Sequence, residues 1–304
     1  MYKVIMAPTD GSDTERPALE VAVALAQRFG AELRLVRVET PPVVVDPHSG
    51  PGVLEQTEET LVEARRGREK KLEALAAEYR KRGASRVVSS LESGRVEPTL
   101  RDYASRHNVD LIIIASHAHG GVKRINLGSV TDYLIRNAGI PTLVVRPTHP
   151  ADGGNGLFER IVVPLDGSPL AEQIISHVKE LTTDSRASVT LVRVLQPVTY
   201  SQKQIMQPGL PWWDDAMAEA ESYLDRAAGL FGDAGLSVTR EVLMADDVAL
   251  AILQHSATSG ADLLAIATRG VGGIKRLMFG TIADELTRRS PISVLVFHPR
   301  EAAG

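Results

Sequence analysis

Short aliphatic runs alternate with longer segments of helical period along this chain. Strands are predicted at 3–8, 32–38, 86–91, 110–115 and 141–145, and helices at 13–29, 55–82, 96–107 and 129–138. Runs such as "LIIIA" show no polar alternation, as expected of strands covered on both faces of a parallel sheet. Ser12 followed by Glu15 predicts a capping box at the first helix, and Gly30 its stop. In the helix over 63–82, Leu72, Leu75 and Tyr79 fall on one face and should pack on the sheet.

The pattern then repeats. "KVIMAPTDGS" (3–12) pairs with "RIVVPLDGSP" (160–169), placing Asp10 opposite Asp166 at an offset of 156, and "AELRLVRV" pairs with "ASVTLVRV" at the same offset. "VDLIIIASHAHGG" (109–121) matches "GADLLAIATRGVGG" (260–273) at 152, as does "PTLVV" with "SVLVF". The four missing residues are expected between 39–85 and 195–236. The Pro- and Gly-rich stretch "PTHPADGGNGLF" reads as a linker, giving domains at 1–146 and 159–304 joined by 147–158. Ser168 before Pro169 fits a helix start in the second half. The fold class predicted is α/β, with two repeated, doubly wound, five-stranded parallel-sheet domains. They should meet about a pseudo-twofold axis along strands 141–145 and 293–297, an intramolecular pseudo-dimer.

Composition narrows the function classes. The chain has 304 residues, 43% of them hydrophobic, 4% aromatic and 24% charged, with a formal net charge of −4. That balance attracts neither nucleic acid nor an anionic membrane. With no cysteine there is no thiolate metal site, disulfide or cysteine nucleophile. The opening "MYKVIMAPTDGS" lacks a basic region and an apolar signal core, so a cytoplasmic location is expected.

The candidate chemistry lies where strands end. In doubly wound sheets, ligands bind at the strands' carboxyl ends, where strand order reverses. Both "DGS" turns and both glycine-bearing turns, "ASHAHGGVKRINLGS" (115–129) and "ATRGVGGIKRLMFGT" (267–281), fall there. Gly128-Ser129 and Gly280-Thr281 open helices whose free N–H groups suit phosphate, and the hydroxyl adds a donor.

These features together resemble the universal stress protein family, whose nucleotide-binding members carry G-x2-G-x9-G-[S/T] after the fourth strand and an aspartate after the first. The resemblance spans nearly the whole chain, twice. It implies a Rossmann-like fold of the adenine nucleotide alpha hydrolase type, an ATP or related adenine-nucleotide ligand, and a regulatory role in stress response. Carried over, it assigns Asp166 to the adenine or ribose, the Val194 backbone to adenine, Ala267 and Gly270 to ribose and phosphates, and Gly280 and Thr281 to phosphates. The first-half set is Asp10, Val38, Ala115, Ala118, Gly128 and Ser129. Alanine replaces the first motif glycine in both halves and the second at Ala118, where a turn needing positive φ penalises a Cβ. The second half is therefore expected to bind at least as tightly as the first.

Other residues carry competing readings. Asp10 and Asp166 are also placed to cap the following helices. Arg269 lies within reach of a phosphate, with solvent exposure as the alternative, and Lys123-Arg124 and Lys275-Arg276 read as solvated surface. His117 and His119 lack a neighbouring carboxylate or cysteine and make a poor metal site. The pair Trp212-Trp213 is expected to pack on its own domain, with a lid, a protein partner or a homodimer contact as the other reading. No catalytic triad, Walker lysine or paired catalytic carboxylates stand out, although Mg²⁺ is compatible with bound phosphates. A binding regulator is thus the leading reading, with a slow ATP hydrolase and a nucleotide-free scaffold as alternatives.

Overall fold

The structure is a computed structural model describing residues 2–40, 58–116, 127–147, 157–183, 185–197, 211–232, 235–268 and 280–298. In the first half, β1 (Val4–Pro8), β2 (Glu32–Glu39), β3 (Val87–Ser93), β4 (Leu111–Ala115) and β5 (Thr142–Val145) alternate with α1 (Arg16–Phe29), α2 (Glu58–Lys81), α3 (Val96–Arg106) and α4 (Ser129–Asn137). The second half repeats this. Its strands are β6 (Arg160–Pro164), β7 (Ser188–Leu195), β8 (Ser237–Met244), β9 (Leu263–Ala267) and β10 (Ser293–Phe297). Its helices are α5 (Pro169–Glu172), α6 (Ile174–Leu181), α7 (Pro211–Gly229), α8 (Val248–Thr258) and α9 (Thr281–Arg289). The predicted elements therefore stand within a few residues, with 55–57 of the second helix outside the described residues.

The strands form one ten-stranded sheet ordered β3-β2-β1-β4-β5-β10-β9-β6-β7-β8. Every pairing is parallel except β5 with β10, which run antiparallel with Val144 opposite Val294 and Leu143 opposite Leu295. Alternation along each strand builds two cores. Ile5, Ala7, Leu111 and Ile113 face the layer containing α1, with Leu72 and Tyr79 of α2 buried there as predicted. Met6, Ile112 and Ile114 face the layer of α3 and α4.

Register refines the repeat. Leu33 pairs with Val87 and Val189 with Val238, so the offset at β3 and β8 is 238 − 87 = 151. Five residues are thus missing before β8 rather than four, and one returns before α8. The returning residue is Asp246, between Ala245, the counterpart of Gly94, and the N-cap Asp247, whose carboxylate caps the Leu250 amide at 2.9 Å.

Polar contacts also tie the halves together. Asp132 and Arg136 of α4 form a closed ring with Asp284 and Arg288 of α9. Each arginine Nε bonds its own helix's aspartate at 3.0 Å, and each Nη2 bonds the other helix's aspartate at 2.6 Å. Arg146, only 1% exposed, follows β5 and donates through Nη2 to the Thr287 carbonyl in the last turn of α9. Its Nε and Nη1 have no partner among the described residues, and burial pulls its pKa down to about 10. On the other layer Arg28 donates to the Leu181 carbonyl at 3.1 Å. There the Tyr2 hydroxyl lies 3.0 Å from His177 Nδ1, and the His177 ring packs on Phe297.

That last contact sets a pH dependence. Burial pushes the His177 pKa down to about 4. The unfolded chain, with an ordinary histidine, takes up the proton first as pH falls. Stability should be full above about pH 6.5 and decline toward pH 4, by up to roughly 3 kcal/mol from this group. Urea unfolding across pH 5–7 should show a smaller acid loss in His177→Phe than in the parent.

Candidate functional site

Strand order reverses between β1 and β4, and again between β6 and β9. Past Pro8 the chain leaves the sheet. Thr9 N donates to Val36 O at 2.9 Å, and Leu165 N to Val192 O at 2.8 Å. Backbone groups alternate sides along a strand, so Val38 and Val194 turn their N–H and C=O toward the same side, where β1 and β6 have ended.

Asp10 and Asp166 stand exposed at this edge. Each closes a local turn through Oδ1, accepting from Ser12 N at 2.7 Å and from Ser168 N at 3.0 Å. The turn glycines have φ of +82° at Gly11 and +93° at Gly167. An added Cβ would meet Arg37 Nη1 at 2.8 Å and Arg193 Nη1 at 2.6 Å, so each turn also leaves room for an arginine from the adjoining strand. Arg193 lies over the Tyr223 ring at 5.0 Å from its centroid. These arginines escaped sequence reasoning because in "LVRV" they read as ordinary polar strand positions.

The predicted capping box at Ser12 and Glu15 does not form. Ser12 Oγ instead lies 2.8 Å from Thr14 Oγ1, and the first turn is a 3-10 turn over Asp13–Glu15. Glu15, 6% exposed, reaches back to accept from Thr9 Oγ1 at 2.6 Å, Asp10 N at 2.9 Å and Gly11 N at 3.4 Å. Burial raises its pKa while these hydrogen bonds oppose the shift. In the second half the cap is made as expected, with Ser168 Oγ accepting from Ala171 N at 3.1 Å.

The fourth strands of each half end at Ala115 and Ala267. Ser116 N then bonds Val145 O at 3.0 Å and Thr268 N bonds Phe297 O at 2.9 Å. Gly128 and Gly280 are extended N-caps of α4 and α9, and among the described residues neither helix start carries a side-chain cap. The first backbone bonds, Asp132 N to Gly128 O and Asp284 N to Gly280 O, leave the amides of 129–131 and 281–283 outside the helical ladder. The two joints differ. Gly280 N donates to Thr268 O at 2.9 Å, whereas no such bond links Gly128 to Ser116. Ala118, Arg269 and Gly270 lie outside the described residues, as do His117, His119 and the Lys-Arg pairs. Trp213 is buried, and the side chain of Trp212 lies outside the described residues. Among the described residues no helix is long and apolar enough to cross a membrane.

The universal stress protein family model matches residues 1–146 and 157–298. The chain belongs to the universal stress protein family. A universal stress protein of Mycobacterium tuberculosis is 25% identical, with the alignment covering 96% of this chain and 94% of its own. The crystal structure of a universal stress protein from Archaeoglobus fulgidus aligns over 97% of this chain and 98% of its own, at TM-score 0.66 and 18% identity. A universal stress protein solved in complex with cAMP aligns with 47% of this chain and 98% of its own, at TM-score 0.34 and 19% identity. The fold is thus the family's α/β fold, present twice.

The helix starts predict unequal tolerance of a side chain. A Cβ at Gly280 would sit 3.0 Å from Thr268 O, whereas at Gly128 nothing among the described residues lies within 4 Å. Both alanine variants lose the same N-cap preference. Gly280→Ala should therefore be the more destabilising, by about 1–2 kcal/mol in urea unfolding.

Proposed function

We propose that this universal stress protein is an adenine-nucleotide-binding regulator or sensor, whose bound state alters its contact with a protein partner. The observation that carries this reading is the convergence at each switch point. There an uncapped helix start bearing Ser129 or Thr281 stands across from the Asp10 or Asp166 turn, and the Val38 or Val194 backbone faces the space between. Amides outside the helical ladder and a hydroxyl suit phosphate, backbone donor and acceptor suit an adenine edge, and a carboxylate suits ribose hydroxyls.

On this reading Gly280, Thr281, Gly270 and Arg269 serve the phosphates in the second half, and Gly128, Ser129 and Ala118 in the first. Ala267 and Ala115 adjoin the ribose, and Mg²⁺ accompanies the phosphates. The two domains span 1–146 and 159–304 about the linker 147–158, and the protein acts in the cytoplasm. The described residues show little for phosphoryl transfer beyond amides and a few bases, so turnover is at most slow. A nucleotide-free scaffold is the second reading, favoured by Ala115, Ala118 and Ala267 at motif glycines.

Calorimetry on the full chain with ATP, ADP and cAMP, with and without Mg²⁺, separates these readings. Measurable ATP binding is expected, weakened about tenfold or more by Thr281→Val through loss of one charge-assisted hydrogen bond. Neither heat nor thermal shift with any of the three ligands would favour the scaffold.

A further inference from the structure

Arg146 is a fully buried cation whose surroundings do not balance its charge. Among the described residues its side chain makes one hydrogen bond, from Nη2 to Thr287 O, and no carboxylate pairs with it. Nε and Nη1 are left unsatisfied. A buried guanidinium with two unmet donors is costly to the fold. An anion is the chemistry that would satisfy it. Asp132, in the first turn of α4, is already held by Arg136 and Arg288 and does not serve.

The contacts around Arg146 place it beside the start of α4. It follows Val145, whose carbonyl accepts from Ser116 N at 3.0 Å, so its backbone adjoins the end of β4. It shares a strand face with Val144, the face that packs on α3 and α4. Its guanidinium reaches the last turn of α9, where the next residue, Arg288, bonds Asp132 at 2.6 Å. Arg146 therefore lies between the end of β4 and the turn of α9 that flanks the first turn of α4. The amides of 129–131, outside the helical ladder, open that same turn. The repeat agrees. At the offset of 152 the counterpart is His298, which lies 2.7 Å from Thr268 Oγ1, while Thr268 O accepts from Gly280 N at the start of α9. The halves also exchange their basic residues: the second carries His298 and Arg269, the first Arg146 and His117.

We propose that Arg146 is the phosphate-binding arginine of the first half, its unmet donors receiving a nucleotide's phosphate chain at the start of α4. The proposal rests on the nucleotide reading above and adds the residue that recognises charge in this half. Without ligand the guanidinium is kept on the Thr287 carbonyl, at the negative end of α9. A phosphate offers it stronger, charge-assisted bonds.

The test is calorimetry on the full chain with ATP and uncharged adenosine, with azido-ATP photolabelling and peptide mapping to assign each half. Arg146→Met fills much of the same space and removes an unpaired buried charge, so the fold should hold. It should weaken ATP binding at the first-half site about tenfold or more, the worth of one charge-assisted hydrogen bond. Adenosine affinity and the label on 159–304 should not change. Arg146→Gln, which keeps a donor for Thr287 O, carries the same expectation should the Met variant not fold. A purely structural role would weaken ATP and adenosine together. An undiminished ATP affinity, an equal loss for adenosine, or label on 159–304 alone in the unmodified chain would each overturn the proposal and leave nucleotide binding intact. If the unmodified chain binds no ATP, the nucleotide reading falls first and this proposal with it.

Discussion

The antiparallel pairing of β5 with β10 is the contact on which the rest of the molecule depends. Each half taken alone would expose an edge strand of Leu143, Val144 and Val145, or of Val294, Leu295 and Val296, all nearly inaccessible here. An apolar edge with unpaired amides is a liability in water. Joining the two edges satisfies both and makes ten strands continuous. It also brings α4 beside α9, so the Asp132–Arg136–Asp284–Arg288 ring can close, and places Arg146 against the last turn of α9. The ring is partly exposed and contributes modestly. Its role is better read as fixing the angle at which the two halves meet. Arg146 differs, since a buried cation pointed at a helix's carbonyl end complements the dipole there. Within the second half, His298 instead lies 2.7 Å from Thr268 Oγ1.

Much of this frame could be read from residue pattern. "LIIIA", "RIVVP" and "SVLVF" had to be buried on two faces, and strand–helix alternation then allows few topologies. The repeat alone places the Asp10 and Asp166 turns and the two helix starts at the switch points. Side-chain choices beneath the turns were not legible. A Ser followed three residues later by Glu satisfies the capping-box pattern, yet at 12–15 the glutamate found a better set of donors behind it. Thr9 and two turn amides converge there, and the 3-10 geometry of Asp13–Glu15 points the side chain inward. Spacing along one segment cannot reveal a competitor that folding brings in from the preceding strand. Arg146, the four-residue ring and Arg193 over Tyr223 were hidden for the same reason, being contacts between elements far apart in sequence.

The halves diverge where the frame does not constrain them. Buried strand positions keep their aliphatic character across the repeat because both layers need them. The turn after β8 is one residue longer and ends on Asp247, which caps α8, where the first half follows β3 with Gly94 and enters α3 from Arg95 without a side-chain cap. Each difference is local and leaves the sheet register unchanged on either side.

That separation bears on how a two-site protein of this kind can specialise. The residues that carry the fold, in β1, β4, β6 and β9, are shared between the halves and tolerate little change. Those beneath the first turn, Thr9 with Glu15 and Leu165 with Ala171, differ while leaving the sheet register unchanged. A buried carboxylate costs its own desolvation unless donors surround it, and the Asp10 turn supplies three. Each turn is thereby closed by its own means: the Glu15 carboxylate in one half, the Ser168 hydroxyl cap in the other.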